Sequence, residues 1–281
     1  MTHSMATSLP THNGNGCAAE NGSTVQQPQS RMKRTQSYFS EEITLAWGDA
    51  VLILMCFITG LLDSAAFNVW SCFVSMQTGN TVYVGLGISG QPASQPLRWI
   101  KSLTAILSFM SGAFLFSRFS RQFQSPLQRL PVISSLFIQA SLCLLSAGLV
   151  RSGFIPPDAG DLLPDNYIVL LPLSLLAMQA AGQIVLSKAL GHHELSTVVL
   201  TSLYADLLID ANVFVPSFRK NAPRNRRVAG ALMLIAGAGV GGYLTRGGSV
   251  EVALWVAGGT KVGMVLAFVG WRRGEGVVRL S

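Results

Sequence analysis

Between Arg129 and Arg151, and again between Asp165 and Lys188, the chain carries no charged side chain. Each run is close to the ~20 residues that a helix needs to cross ~30 Å of hydrocarbon. Neither shows the period-two alternation of a membrane β-barrel strand. In an apolar medium every backbone N–H and C=O needs a partner, and an uncharged run of this length finds those partners as a helix. Eight apolar segments can be marked out, at 47–68, 70–90, 99–119, 130–151, 166–188, 195–215, 227–246 and 251–271. Only 12% of the 281 residues are charged, against 49% hydrophobic, whereas a soluble domain carries about 25% charge. The pattern predicts an all-α, polytopic transmembrane helical bundle and argues against a soluble enzyme. Four cysteines are too few for a disulfide scaffold, and no Cys/His spacing suggests zinc. The net charge of +7 is scattered between apolar runs, not gathered on one face as in a nucleic-acid binder. Membrane lipid is the expected partner, and nucleic acid is not.

Two segments are interrupted by polar residues. Segment 70–90 carries Ser75, Gln77, Thr78, Gly79, Asn80 and Thr81, and segment 195–215 carries Thr197, Thr201, Ser202, Asp206 and Asp210. Each is either a polar-lined span or a broken, re-entrant element sheltered by its neighbours, so the count is six to eight spans. Residues 1–44 are rich in Ser, Thr, Asn, Gln and Gly, and are expected to be a disordered tail. Arg31, Lys33 and Arg34 lie just ahead of the first span. Basic residues near the span ends place both termini in the cytoplasm for either count. Trp47, Trp99, Tyr167, Tyr243 and Trp271 fall near proposed span ends, as interfacial aromatics do. The loop at 156–165, with Asp158, Asp161 and Asp165, reads as a linker between two transmembrane halves, 45–155 and 166–272, ahead of a short tail at 273–281.

The halves are related. Lys101, Gly112, Ala113 and Arg121 lie over Arg226, Gly237, Ala238 and Arg246 in matched order, Asp63 over Gln183, and Thr78 over Thr201. With four spans each the repeats are parallel; with three each they are inverted. Both arrangements occur in transporters, with the site near the midplane between repeats.

Several polar residues stand out. A charge at the centre of a span costs about 2.5–3.5 kcal/mol on insertion scales, so Asp63 needs a partner or a job unless it lies at a wet helix end. Ser75, Gln77, Thr78, Asn80 and Thr81 surround Gly79 in a stretch without charge from Asp63 to Arg98, and suit either a polar cavity or interhelical hydrogen bonding. Lys261 is too deep in the last segment for easy snorkelling; Asp63, Asp206 and Asp210 are its candidate ion-pair partners. Asp206 and Asp210, four apart, share a helix face. His192, His193 and Glu194 do not make a metal site, because adjacent histidines point apart and no second cluster completes the set. The pairs Gly237/Gly241 and Gly259/Gly263 suit close helix packing, and Cys56, Cys72 and Cys143 read as packing residues.

The stretch Gly60-Leu61-Leu62-Asp63-Ser64-Ala65-Ala66-Phe67, followed by Phe73-Val74-Ser75-Met76-Gln77-Thr78-Gly79-Asn80-Thr81, resembles the signature of the DUF1275 (YoaK-like) integral membrane proteins. Ala177 to Gln183 and Thr197 to Ser202 are similar to that family's later motifs, with Ile184 where Asn often follows and Ser202 where Gly is expected. The resemblance spans about 45–270 and implies a multi-span helical protein without a known biochemical activity. From the residues themselves, Asp63, Gln77, Thr78, Asn80, Gln183, Thr201 and Lys261 are the candidate substrate-binding set of a transporter or permease-like protein for a small solute or ion. The alternative is a membrane scaffold or assembly factor. No nucleophile sits beside a base within a span, so no enzymatic activity and no cofactor are expected.

Overall fold

The computed structural model describes residues 37–95, 97–156, 167–191, 195, 197–198, 200–216 and 220–271. Arg31, Lys33 and Arg34, the linker aspartates Asp158, Asp161 and Asp165, the His192-His193-Glu194 cluster, and the tail from Arg272 lie outside the described residues. Apart from a helical turn at 37–40, the helices are α1 (Gly48–Trp70), α2 (Gln77–Ile88), α3 (Arg98–Ser120), α4 (Arg129–Arg151), α5 (Leu170–Ala189), α6 (Leu200–Ile209), α7 (Ala222–Leu244) and α8 (Glu251–Val269), with a 3₁₀ turn at Tyr167–Val169 leading into α5. The described residues form no strand beyond an isolated bridge between Glu42 and Gln128.

Six of these helices are long and apolar enough to cross a membrane. The two segments interrupted by polar residues do not extend to full spans. Their helices have 12 and 10 residues, about 18 and 15 Å at 1.5 Å per residue, against ~30 Å of hydrocarbon.

The connections fix the direction of each span. At the C-terminal end of α1, Arg98 Nε donates to Ser71 O (2.8 Å) and Lys101 Nζ to Trp70 O (3.1 Å), so α3 starts where α1 stops. The Ile43 amide donates to Leu127 O and that of Arg129 to Glu41 O, both at 3.0 Å, which brings the α3–α4 junction to the start of α1. Arg226 meets Asp49 at 3.0 Å, and Asn68 Nδ2 donates to Thr245 Oγ1 at 2.8 Å, so α7 runs beside α1 in the same direction. Arg151 meets Glu251 at 3.4 Å where α4 ends and α8 begins. Trp271 Nε1 donates to Thr44 O (3.0 Å) and Tyr38 OH to Val269 O, so the first and last described segments share one end of the bundle.

Packing is uneven. In α1, 67% of the most apolar window is buried, against 28% in α3 and 22% in α7. α1 is therefore the central helix, and the exposed Phe114, Leu115, Leu232 and Ile235 form the lipid-facing surface of its neighbours. α1 and α7 meet backbone to backbone. A Cβ on Gly60 would stand 2.0 Å from Leu234 O, and one on Gly237 2.0 Å from Phe57 O. α3 meets α5 in the same way, with Gly112 against the Met178 backbone and Ala181. α4 and α8 pair as well.

The Gly237/Gly241 expectation holds, since both glycines lie against α1, but the Gly259/Gly263 expectation is corrected. Nothing lies within 4 Å of a Cβ at either position, and Gly258 is the glycine against Leu144 of α4. The buried face of α8 runs through Leu254, Ala257, Gly258, Lys261, Met264 and Phe268, which turns Gly259 and Gly263 outward. Gly237→Ala is expected to lower the thermal midpoint of the detergent-solubilised protein by several degrees, because a backbone carbonyl has to move. Gly259→Ala, measured alongside, is expected to leave it unchanged or raise it, since Ala is the better helix former.

Candidate functional site

Beyond Trp70 the chain turns at Ser71 (φ 56°) and doubles back along α1. Asp63 lies seven residues before the end of that helix, about 10 Å down it, and its Oδ1 accepts from the amides of Val74 (2.9 Å) and Ser75 (2.8 Å). Its Oδ2 accepts from Ser75 Oγ. Hydrogen bonds to a charged group are worth about 1.5–3 kcal/mol each, enough together to offset the insertion cost of the carboxylate. In return, Asp63 satisfies two amides of non-helical chain in the bundle interior, where an orphan amide is expensive.

The returning segment is stitched to the helix that follows it. Asn80 Nδ2 donates to Phe73 O (2.8 Å) and Gln77 Oε1 (3.0 Å), and its Oδ1 accepts from Phe73 N (3.3 Å). Gln77 Nε2 donates to Val74 O (3.1 Å). Gly79 leaves room for the Phe73 ring, which would stand 3.0 Å from a Cβ there and stacks on Phe67 at 4.4 Å. Arg98 lies 3.7 Å from the centre of the Tyr83 ring and 5.1 Å from that of Phe67, tying α2 to the capped end of α1.

α6 is the counterpart of α2. Asp210, just past its end, accepts from Asn221 Nδ2 (2.9 Å) and lies 3.6 Å from Arg227, so α6 ends beside the start of α7. The Asn221 amide and the Asn212 N–H hold the Asp210 carboxyl below its usual 3.8, with Arg227 and Arg224 adding to them. The start of α6, Leu200 and Thr201, instead reaches the level of Gly60 and Asp63. Two short helices thus run from the middle of the bundle to opposite ends, and both begin at one cavity.

That cavity has a volume of about 230 Å³. Asp63 and Ser64 of α1, Ser75, Gln77 and Thr78 of the first re-entrant segment, and Thr201 of α6 supply its polar lining; Phe73, Leu200 and Leu234 supply much of the apolar wall. Each short helix directs its positive end here, worth roughly half an elementary charge, so the two together are close to balancing one ionised carboxylate.

Four of the seven expected site residues, Asp63, Gln77, Thr78 and Thr201, therefore share one cavity. Asn80 is fully buried behind it and shapes the segment that lines it. Gln183 and Lys261 belong to a second cluster. Lys261 Nζ donates to Gln139 Oε1 (2.8 Å) and Gln183 Oε1 (3.0 Å), and Gln183 Nε2 donates to Thr59 Oγ1 (2.8 Å) and Met55 O (3.2 Å). This corrects the expected ion pairs of Lys261. Among the described residues its hydrogen-bond acceptors are amide oxygens; Asp63 is turned to Ser75, Asp210 to Asn221, and Asp206 is exposed. Thr59 is one turn before Asp63 on α1, so the clusters adjoin without merging. Sequence reasoning missed Gln139, whose signal was a long amide in the middle of the charge-free run 130–150. It also missed Arg98 and Lys101 as caps of α1, having read Arg98 as the end of a charge-free stretch and Lys101 as a mark of the repeat.

The geometry defines a class: a multi-pass helical membrane protein in which two short helices, running to opposite ends of the bundle, begin at one half-open cavity. Within that class the chain belongs to the DUF1275 family, described as "Protein of unknown function (DUF1275)", whose model matches residues 51–267. No curated protein and no solved structure matches it.

Removing one acceptor from Lys261 leaves a buried ammonium short of partners. Gln139→Leu is expected to destabilise the protein by about 1–3 kcal/mol, and Gln139→Leu with Lys261→Met to recover most of that loss. A double-mutant cycle on unfolding midpoints in detergent reads the coupling, and additive losses would show that the contact contributes nothing.

Proposed function

We propose that the protein is a transporter or permease-like carrier of a small solute, and that the cavity beside Asp63 is where the solute binds. One observation carries this reading: two short helices entering from opposite ends begin at the same cavity. Non-helical chain at membrane depth is tolerated where it is buried in protein or lines a cavity. Discontinuous helices whose N-termini face a central site recur in transporters built from inverted repeats. At about 230 Å³ the cavity is below the ~300–1,000 Å³ of pockets for drug-sized ligands, so the solute is small. Hydroxyls and one carboxylate against Phe73, Leu200 and Leu234 suit an amphipathic molecule.

The scaffold reading draws on the hydrogen bonds that Asp63 makes within its own chain, since these hold the fold together without a ligand. A thermal-unfolding screen of the purified protein against small polar and amphipathic solutes, followed by counterflow of any stabilising solute in proteoliposomes, separates the two. Transport requires a solute whose stabilisation and counterflow both fall at least tenfold in Thr201→Val, with the unliganded midpoint unchanged. A screen without a hit, in which Thr201→Val and Thr78→Val change nothing, favours the scaffold.

The basic residues near the span ends support a cytoplasmic location for the end of the bundle that carries Gly48 and Trp271. Asn21-Gly22-Ser23 is a glycosylation sequon that precedes the first span in the chain. Expression in a eukaryotic host is expected to give protein whose mobility is unchanged by a glycosidase, and a glycan on Asn21 would reverse the orientation.

A further inference from the structure

Among the described residues that line the cavity, Asp63 is the one titratable side chain, and the way it is held leaves room for a proton. A carboxylate has about four acceptor sites, shared between its two oxygens. Asp63 Oδ1 uses its share on the amides of Val74 and Ser75, whereas Oδ2 takes the Ser75 hydroxyl. A proton added to Oδ2 therefore breaks neither backbone contact. It reverses the third: Oδ2–H donates to Ser75 Oγ, and the Ser75 proton, released from the carboxylate, turns toward the cavity that Ser75 lines. Ser75 offers the cavity an acceptor in one state and a donor in the other.

The titratable groups on the elements around Asp63 are engaged elsewhere. Arg98 and Lys101 of α3 hold the carbonyls of Ser71 and Trp70. Cys72 of the returning segment is turned to Phe73 and Asn80, and Tyr83 of α2 lies under Arg98. Lys261 of α8 is held by two amide oxygens. Of the charges on α6 and α7, Asp206 is exposed, Asp210 meets Arg227 and Arg226 meets Asp49, and Arg224 holds the carbonyls of Val213 and Val215.

The cavity's own charge balance then depends on that one proton. α2 starts without a side-chain cap. Thr78 and Thr201, at the starts of α2 and α6, line the cavity, and among the described residues neither hydroxyl bonds back onto its own helix as those of Thr81 and Thr260 do. Two helix starts of about half a positive charge each offset the ionised carboxylate. An anion entering in that state would bring an uncompensated charge into the bundle. With Asp63 protonated, the helix starts and the Ser75, Thr78 and Thr201 hydroxyls are left to compensate the anion instead. We propose that the cavity binds a small organic anion of single charge, a monocarboxylate, together with one proton on Asp63. Phe73, Leu200 and Leu234 face its carbon chain. Each of the two bindings strengthens the other by the same factor. The inference rests on the transporter reading, whose solute class and coupling ion it names.

The test titrates the full chain in detergent with lactate and pyruvate, and with lactamide as the neutral match of lactate, by calorimetry in buffers of differing ionisation enthalpy. Binding of either anion is expected to take up about one proton and to tighten at least about tenfold from about pH 8 to about pH 6; lactamide is expected to gain nothing from acid. Asp63→Asn has the hydrogen-bonding pattern of the protonated acid, since its carbonyl can accept both amides and its Nδ2 can donate to Ser75 Oγ. It is expected to keep a thermal midpoint close to the parent's and to bind the anions equally at both pH values, with no proton taken up. Anion binding without proton uptake, lactamide bound as tightly as lactate, or neither anion bound at the lower pH overturns the proposal. These three outcomes are read on the parent and do not depend on the folding of the variant; proton uptake retained in Asp63→Asn overturns it as well. Uptake of the anion into lipid vesicles under an inward proton gradient reads the transport step. Proton-linked binding without uptake would sink the transporter reading and leave the linked site standing, whereas counterflow of a neutral solute with no anion bound would do the reverse.

Discussion

A helix bundle in an apolar medium cannot admit irregular chain unless that chain's amides are satisfied from within, and one carboxylate meets this requirement here. Asp63 accepts both backbone amides at the point where the returning segment is deepest. Arg98 and Lys101 cap the helix that the segment has just left, and Asn80 ties the segment to the helix that it starts. Remove the carboxylate, and two amides and a hydroxyl lose their partners together. The cavity, the placement of α2 and the burial of Asn80 all follow from this contact.

The second cluster solves a different problem. Lys261 places a cation in the middle of α8, and the surrounding helices answer with two glutamine oxygens. Amides are weaker partners than a carboxylate, but they do not fix the charge in a single pair. Gln183 also reaches across to Met55 and Thr59 of α1, so one side chain joins three helices. Charge at this depth is tolerated through a network spread over several helices, and a satisfied network of this kind fixes how those helices pack.

The membrane-spanning class, the six long helices and the polar break at 75–81 were legible because length and charge density decide them, and both are properties of the chain alone. The span count was not, since Ser75, Gln77 and Asn80 serve a polar span and a re-entrant segment equally well until the chain's turn at Ser71 is known. The Gly259/Gly263 error has a rotational cause: a small-residue pair shows that a close-packing face exists, while the neighbouring helix decides which face is used. Lys261 was assigned carboxylate partners because opposite charges attract, a rule that says nothing of Gln139. Asp63, Gln77, Thr78 and Thr201 come to line one cavity because they fall where two chain breaks meet. Gln183 and Lys261 were added to them by depth, which does not distinguish two neighbouring clusters from one.

The crossing of α1 with α7 and of α3 with α5 has a consequence for biogenesis. Each glycine-lined groove is completed by a helix from the other half of the polypeptide, so the early spans enter the bilayer with their tightest packing surfaces still uncovered. The face of α3 has its partner once residue 189 has been made, whereas that of α1 has to wait until synthesis has passed residue 244. Truncation ahead of residue 222 would therefore leave a first half whose central helix still bares the face that carries Gly60.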